Sequence, residues 1–392
     1  MASNAVCPFC FQRIDSSRLW YQCLGRGNTE CKKEADEARE QLTKSTRETY
    51  PTFPPPERVA GAAFCPTCGG RTNLRACPQC HTALPSDFGD SRSPMIGLVG
   101  SKGSGKTVLM TVLVKQLKDV VGKRYDAAIR LATDNPDGLQ GLSDYQARRE
   151  APLYKDRVLP PTTNQMAARG HAAPLLLRWQ QETTRLGRTS VRSTLLSFVD
   201  TAGEDLNDVQ TAFTLKYLSV CDGLIVVLDP FALPGARARL NLPDAAVDVD
   251  DDAPLDVVNN ITEMLKVDHE IKKRRKLTLP VAVVFTKIDA FFPALNRGNP
   301  LMAATPTVAG YDNADGLAVH EHVLALMHEW NAQDIDTHMR LNYADFRYFG
   351  VSALGAEPDY ETRTVAAGGV RPHRVEDPVL WLLSKAGTVR AA

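Results

Sequence analysis

From residue 95 onward the apolar positions follow two alternating rhythms. MIGLVG at 95–100 is a continuous apolar run of strand length that ends in glycine. KTVLMTVLVKQLKDV at 106–120 is apolar on most faces of a helical projection, which predicts a buried helix. PLLLRWQ at 174–180 and STLLSFVD at 193–200 predict two strands. DGLIVVLDP at 222–230 and LPVAVVFTK at 279–287 are short β-branched runs, the pattern of strands covered on both faces. Between them Val258, Ile261 and Leu265 repeat at helical spacing. RYFGVSAL at 347–354 predicts the last strand, and Asp377-Pro378 is expected to cap a final helix with Val379, Leu382 and Leu383 on one face. Strands alternating with helices predict an α/β, three-layer sandwich with a mostly parallel sheet. Three stretches, 122–160, 231–254 and 290–313, interrupt this rhythm and read as insertions.

Residues 1–90 have another texture. The segment 31–49 is charged and helix-prone, and YPTFPPPERV at 50–59 is too proline-rich for a helix and is expected to run extended. The division predicted is a small cysteine-rich domain over 1–90 and a larger domain over 91–392. Lys+Arg and Asp+Glu are both 46, so net charge is zero. That balance disfavours non-specific nucleic-acid binding as the main task. No leader pattern and no apolar run of about 18 residues is visible, so a cytoplasmic, membrane-free protein is expected.

Eight of the nine cysteines fall in the first 80 residues. In a cytosolic chain such pairs point to metal rather than to disulfides. Cys65-Pro-Thr-Cys68 and Cys77-Pro-Gln-Cys80 are two C-x-x-C knuckles, and Cys7-Pro-Phe-Cys10 with Cys23 and Cys31 offers a second Cys₄ set. Two structural zinc ions in a zinc-ribbon-like domain are expected. Pairings that interleave the knuckles, such as Cys7 and Cys10 with Cys77 and Cys80, stay open. Cys77-Pro-Gln-Cys80-His81 also fits a haem-attachment pattern, which the second knuckle upstream and the lack of an export signal argue against. Cys221 reads as core.

Gly100-Ser101-Lys102-Gly103-Ser104-Gly105-Lys106-Thr107 fits G-x-x-x-x-G-K-[ST] without mismatch, between a predicted strand and a helix that opens through Val108. The glycines let backbone N–H groups surround phosphate oxygens. Lys106 is expected at the β- and γ-phosphates and Thr107 at Mg²⁺. Asp200-Thr-Ala-Gly203 ends another strand; its acid suits a magnesium-bound water and Gly203 the γ-phosphate. Thr286-Lys287-Ile288-Asp289 closes the strand before it. The Asp289 carboxylate matches the adjacent N1–H and N2–H₂ donors of guanine, a pair that adenine lacks. Lys287 can cover the base with its stem, and Ser352-Ala353-Leu354 can supply backbone N–H to the guanine O6.

In the order GSKGSGKT, DTAG, TKID, SAL, the chain resembles the translation-factor-related class of P-loop GTPases, to which Ras-like proteins belong, over about three-quarters of its length. Thr286 stands where that class usually has asparagine. The cysteine-rich start, the LVGSKGSGKT loop and the long segment before LPPTT resemble bacterial "double-GTPase" proteins, a resemblance that implies a conflict or defence system. The class implies GTP and GDP as ligands, hydrolysis with Mg²⁺, and a threonine that senses the γ-phosphate; Thr162 or Thr163 fits, with Thr163 favoured. Where Ras-like enzymes place glutamine, this chain has Glu204, whose charge opposes approach to phosphate: either it is catalytic with its charge offset locally, or it points away and hydrolysis is slow, and slow hydrolysis accelerated by a partner is the favoured expectation. Lys102 is a candidate cation in cis. The expected partner is an unidentified protein or activator, or a second copy of the chain. A GTP-binding scaffold with little turnover and an RNA- or ribosome-associated GTPase are the alternatives. The basic run 272–276 reads as a solvated helix end.

Overall fold

The computed structural model describes the chain except residues 1–3, 29–30, 58–60, 90–92, 102, 133–142, 144, 161–173, 186–187, 201–215, 241, 243–252 and 269–274. Seven short strands come first: β1 (Asn4–Val6), β2 (Arg13–Asp15), β3 (Trp20–Gln22), β4 (Thr52–Phe53), β5 (Ala63–Phe64), β6 (Arg71–Thr72) and β7 (Arg75–Ala76). Longer ones follow: β8 (Met95–Gly100), β9 (Ala127–Leu131), β10 (Leu175–Arg185), β11 (Arg188–Asp200), β12 (Gly223–Leu228), β13 (Val281–Phe285) and β14 (Phe346–Gly350). The chain divides into two compact units. One comprises Met1–Met95, Ala128–Tyr145 and Met166–Phe198, and the other the remainder. The cysteine-rich segment is therefore not a unit by itself but is joined by 128–145 and 166–198.

In the first unit the small strands pair as antiparallel hairpins, β1 with β2, β5 with β6, and β3 between β4 and β7. Within the proline-rich stretch Thr52–Phe53 is an extended strand laid against β3. Only Glu37–Thr43 of the charged segment is helical. Asp36 caps it by accepting from Arg39 N, and Lys44 in the left-handed region stops it. β10 and β11 form one long antiparallel hairpin, Leu175 opposite Phe198. Asp87 holds this hairpin, accepting two bonds from the Arg178 guanidinium at 2.8 Å each and one from Ser193 Oγ.

In the second unit β8, β12, β13 and β14 lie in the order β14-β13-β12-β8, and every pairing is parallel. Val226, Val227, Val283, Val284 and their neighbours are buried on both faces, as the continuous apolar runs predict. The helix Lys106–Gln116 follows β8, and Pro254–Asp268 carries Val258, Ile261 and Leu265 inward. Two helices exceed the elements expected from the sequence, Asn313–Glu329 and Gln333–Asn342. Their signal is Val319, Val323, Leu326 and Met327 at helical spacing behind the Asp312 cap. Among the described residues no helix is long and apolar enough to cross a membrane.

Asp377 opens the last helix, Asp377–Lys385, but does not cap it. Its carboxylate instead accepts from Arg374 Nη1 at 2.7 Å and Thr305 Oγ1 at 2.9 Å. Arg374, with 1% side-chain exposure, also binds Asp315 and the Ala303 carbonyl. A buried guanidinium between two carboxylates is a junction that cannot lose one member cheaply. Burial pushes the Asp377 carboxyl up to about 6, against the pull of Arg374. Its folded pKa thus exceeds the unfolded one, so its share of stability is full below about pH 4 and lost as pH rises through about 6. Arg374→Met should cost ~3–5 kcal/mol of unfolding free energy at pH 8, where both carboxylates are charged and unpaired. Urea titrations should show a smaller cost at pH 5, and equal costs at both pH values would contradict this assignment.

Candidate functional site

Because β8, β12, β13 and β14 are parallel, their carboxyl ends share one edge, and each of the four is followed there by a loop or turn. β8 runs into Ser101 and the glycine loop, β12 into Asp229, β13 into Thr286-Lys287-Ile288-Asp289, and β14 into Val351-Ser352-Ala353-Leu354. Gly100 is a point of close approach between β8 and β12. It sits opposite Val227, and a Cβ on it would lie 2.1 Å from the Val227 carbonyl oxygen. Gly103 and Gly105 adopt left-handed φ of 75° and 84°, so the loop turns without side-chain strain. Lys106 is buried and its ammonium curls over its own loop, donating to Gly100 O at 2.8 Å and to Ser101 O. Ser104 Oγ donates to Ser101 O at 2.8 Å. Thr107 is buried in the first helical turn, at the N-terminus where the backbone favours anions.

Thr286 takes an unexpected place. Its hydroxyl donates to Ser104 O at 2.9 Å, a bond between residues 182 apart in the chain, and lies 3.4 Å from Leu228 O. It ties the base motif to the glycine loop. Lys287 has a left-handed φ of 55°, and its ammonium pairs with Asp229. Asp289 is half-buried in the 3-10 turn Ile288–Ala294. Ser352 is held in a two-way backbone pair with His373, at 3.0 and 2.8 Å, and its hydroxyl accepts from Gly355 N at 2.8 Å. Leu354 O accepts from Arg371 N, so the 352–354 loop is braced along its length. Burial, with the carboxylates of Glu357, Asp229 and Asp289, pushes the Tyr360 hydroxyl well above its ordinary range. Asp229 and Tyr360 are absent from the motifs read in sequence; the signal for Asp229 was an acid directly at the end of an apolar strand. Lys102, Thr162, Thr163, Gly203 and Glu204, with the side chain of Asp200, lie outside the described residues.

The cysteines gather across the chain rather than along it. Cys7, Cys10, Cys77 and Cys80 form one buried group, and Cys23, Cys31, Cys65 and Cys68 another; within each, all sulfurs lie within 4.8 Å of one another. The adjacent knuckles 65–68 and 77–80 are not brought together, so the interleaved pairing is the one realised. Three knuckles repeat one geometry. Cys7 O, Cys65 O and Cys77 O accept from Phe11, Gly69 and His81 N at 2.9, 2.8 and 3.0 Å, and those three residues have left-handed φ of 60°, 70° and 56°. Gly27 closes the second group, since a Cβ there would meet the Cys68 carbonyl oxygen at 2.0 Å. The nearest sulfur pairs, Cys7–Cys80 and Cys10–Cys77 at 3.8 Å, Cys23–Cys68 at 3.5 Å and Cys31–Cys65 at 3.9 Å, match the roughly 3.8 Å edge of a tetrahedron with Zn–S near 2.3 Å. Burial pushes Cys23 up to about 11 and Cys31 to about 12. Burial also opposes ionisation of Cys65, but the backbone N–H groups of Cys68 and Thr67 bring it down to about 7. Hydrogen bonds from Cys10, Cys7 and Cys77 hold Cys80 far below its ordinary value. His81 stacks on Trp20 at 4.9 Å and bonds Asp36 at 2.8 Å, which leaves both cysteines of the C-x-x-C-H pattern inside a four-sulfur group and not in a haem motif.

The two groups differ in what they pack against. The 7/10/77/80 group shares its core with Leu176 of β10 and Leu195 of β11, while among the described residues the 23/31/65/68 group shares its core with Tyr21, Phe53, Ala63 and Tyr50.

No family model matches the chain. Over 417 aligned residues it is 26% identical to the putative ESX-1 scaffolding and assembly protein SaeC of Mycolicibacterium smegmatis, spanning 98% of this chain and 99% of that protein. Solved structures with some likeness include the GTP-bound GTPase-like domain of S. cerevisiae Ski7, at 13% identity and TM-score 0.28, over 67% of this chain and 43% of that one. The signal recognition particle receptor SRb of Chaetomium thermophilum, with GDP and Mg, aligns at 13% identity and TM-score 0.26, over 69% and 95%. Bacterial selenocysteine-specific elongation factor EF-Sec aligns at 13% and 0.26, over 75% and 29%. The chain thus spans less than half of the Ski7 and EF-Sec chains. Scores this low carry no argument, and the functional reading rests on the geometry of the sites.

Purified protein should contain two equivalents of zinc. Replacing Cys77 and Cys80 by serine should remove one equivalent and raise amide exchange throughout β10 and β11. The Cys65 and Cys68 pair should also cost one equivalent but leave those strands protected. Metal analysis with hydrogen exchange checks both, and equal loss of protection in the two variants would contradict the unequal packing.

Proposed function

We propose that the chain is a GTP-binding protein of the P-loop GTPase kind that requires Mg²⁺, turns GTP over slowly, and acts on a protein partner or assembly through its nucleotide state. One observation carries this reading. The glycine loop, the TKID segment and the SAL segment follow β8, β13 and β14, parallel strands of one sheet whose carboxyl ends share one edge with β12 between the first two, and Thr286 Oγ1 ties the TKID segment to the glycine loop. In this reading the backbone N–H groups of 103–107 and the Lys106 ammonium receive the phosphates, releasing the lysine from Gly100 O and Ser101 O. Thr107, Asp200 and Thr163 would hold Mg²⁺, which supplies charge neutralisation at the β- and γ-phosphates. Asp289 would read guanine, and the braced 352–354 loop would offer backbone donors to O6. The residue following Gly203 is Glu204, so the chain brings no neutral water-orienting amide to that position. A partner that inserts a cation would accelerate turnover by about 10³–10⁵-fold. The eight clustered cysteines fit two zinc ions, which would cross-link the first unit.

A second reading, a nucleotide-dependent assembly scaffold with little turnover, is favoured by the likeness to SaeC along nearly the whole chain. A role in a bacterial conflict or defence system rests on the sequence resemblance alone. Phosphate release measured with and without candidate partners separates the two readings: stimulated turnover supports the switch, and background turnover with GTP-dependent assembly supports the scaffold.

Lys106→Ala should lose detectable GTP and GDP binding while both zinc equivalents remain, as measured by calorimetry and metal analysis. Retained GTP affinity would remove the phosphate site. Asp289→Asn should shift preference from guanine to xanthine nucleotides, because the amide donates to the C2 carbonyl. Unchanged guanine affinity there would mean that another residue reads the base.

A further inference from the structure

The TKID motif explains Asp289 and the stem of Lys287, but not why the ammonium of Lys287 is engaged by a carboxylate from another strand end. Asp229 follows β12 directly, 58 residues before Lys287, and its side chain is 3% exposed. One oxygen accepts from Phe231 N at 2.9 Å and so starts the 3-10 turn Pro230–Ala232. The other takes the Lys287 ammonium. That ammonium also stands 4.7 Å from the centre of the Phe231 ring. Phe231 in turn lies 6.5 Å from Phe291, which packs on Trp330 at 4.7 Å. Lys287 is therefore held at both ends. Its backbone is fixed in the left-handed turn, and its head is fixed by a buried carboxylate and an aromatic shelf. The stem runs between these two points, two residues from Asp289.

We propose that Asp229 is a positioning residue for the base, acting by tethering Lys287 so that its aliphatic stem presents a preformed cover to the purine ring. The inference rests on the guanine-nucleotide reading of the site. A loose lysine surrenders its rotamer freedom when it covers a base, and a tethered one has surrendered it beforehand. Asp229 does not touch the base itself. Its effect must pass through Lys287 and must be blind to the 2-amino group, which is read by Asp289.

The test is competition binding against a ribose-labelled GDP, using GDP, inosine diphosphate and inorganic pyrophosphate. Asp229→Asn keeps an acceptor for Phe231 N and loses the charge. It should weaken GDP and inosine diphosphate alike by about tenfold, leaving their ratio and pyrophosphate affinity unchanged. In a Lys287→Ala background the same substitution should have no further effect. Additive losses in the double variant would overturn the proposal, as would a pyrophosphate loss equal to the GDP loss, or a wild-type GDP affinity in Asp229→Asn. Lys287→Met, which retains the stem and removes the tethered charge, is the second variant should Asp229→Asn fail to fold. It should reproduce the loss for GDP and inosine diphosphate, and unchanged affinity would overturn the proposal. A wild-type protein that does not prefer guanine to adenine nucleotides would bring down the functional reading and this inference together. A guanine-selective protein indifferent to Asp229→Asn would bring down this inference alone.

Discussion

The proposed nucleotide site depends on one close approach. Gly100 lies in register with Val227, so near that no side chain fits between its α-carbon and the neighbouring carbonyl. That contact sets where β8 stops, and therefore where the glycine loop begins relative to Asp229 at the end of β12. Thr286 Oγ1 makes the corresponding tie from the next strand, through Ser104 O. These two points fix the glycine loop relative to the TKID segment. A threonine at the head of the base motif meets this need well. Its hydroxyl reaches a loop carbonyl that the strand ends place close by, while Lys287 and Asp289 are left to face the ligand.

The first unit solves a different problem. Its strands over residues 4–76 are two or three residues long and cannot build a self-sufficient core. Two four-sulfur groups take that role, and they are nested: Cys23 to Cys68 lies wholly within the span Cys7 to Cys80. The inner group closes a local core of aromatic residues. The outer group closes the whole segment and shares its core with β10 and β11. The cysteine-rich segment thus shares one core with the long hairpin of β10 and β11.

Much of this was legible in sequence where the chemistry is local. The glycine loop needs its residues in one short stretch, and so do the carboxylate after β13 and the knuckle of each C-x-x-C. The β-branched runs announced β12 and β13 because strands buried on both faces have no polar side to show. Other features were hidden for a physical reason. Whether Cys77 joins Cys65 or Cys7 is decided by which segments the fold brings together, which spacing does not encode. Asp377 looked like a cap, yet its carboxylate is taken by Arg374 and Thr305.

The sequence by itself determined the order of the phosphate and base motifs, the alternation of strand and helix that carries them, and the presence of eight thiols able to hold metal. Only the tertiary structure decided which thiols meet, that Thr286 serves as a tie, and that Asp229 takes hold of Lys287. These last depend on contacts between residues 34 to 182 positions apart, which the fold brings together and no local pattern of residues encodes.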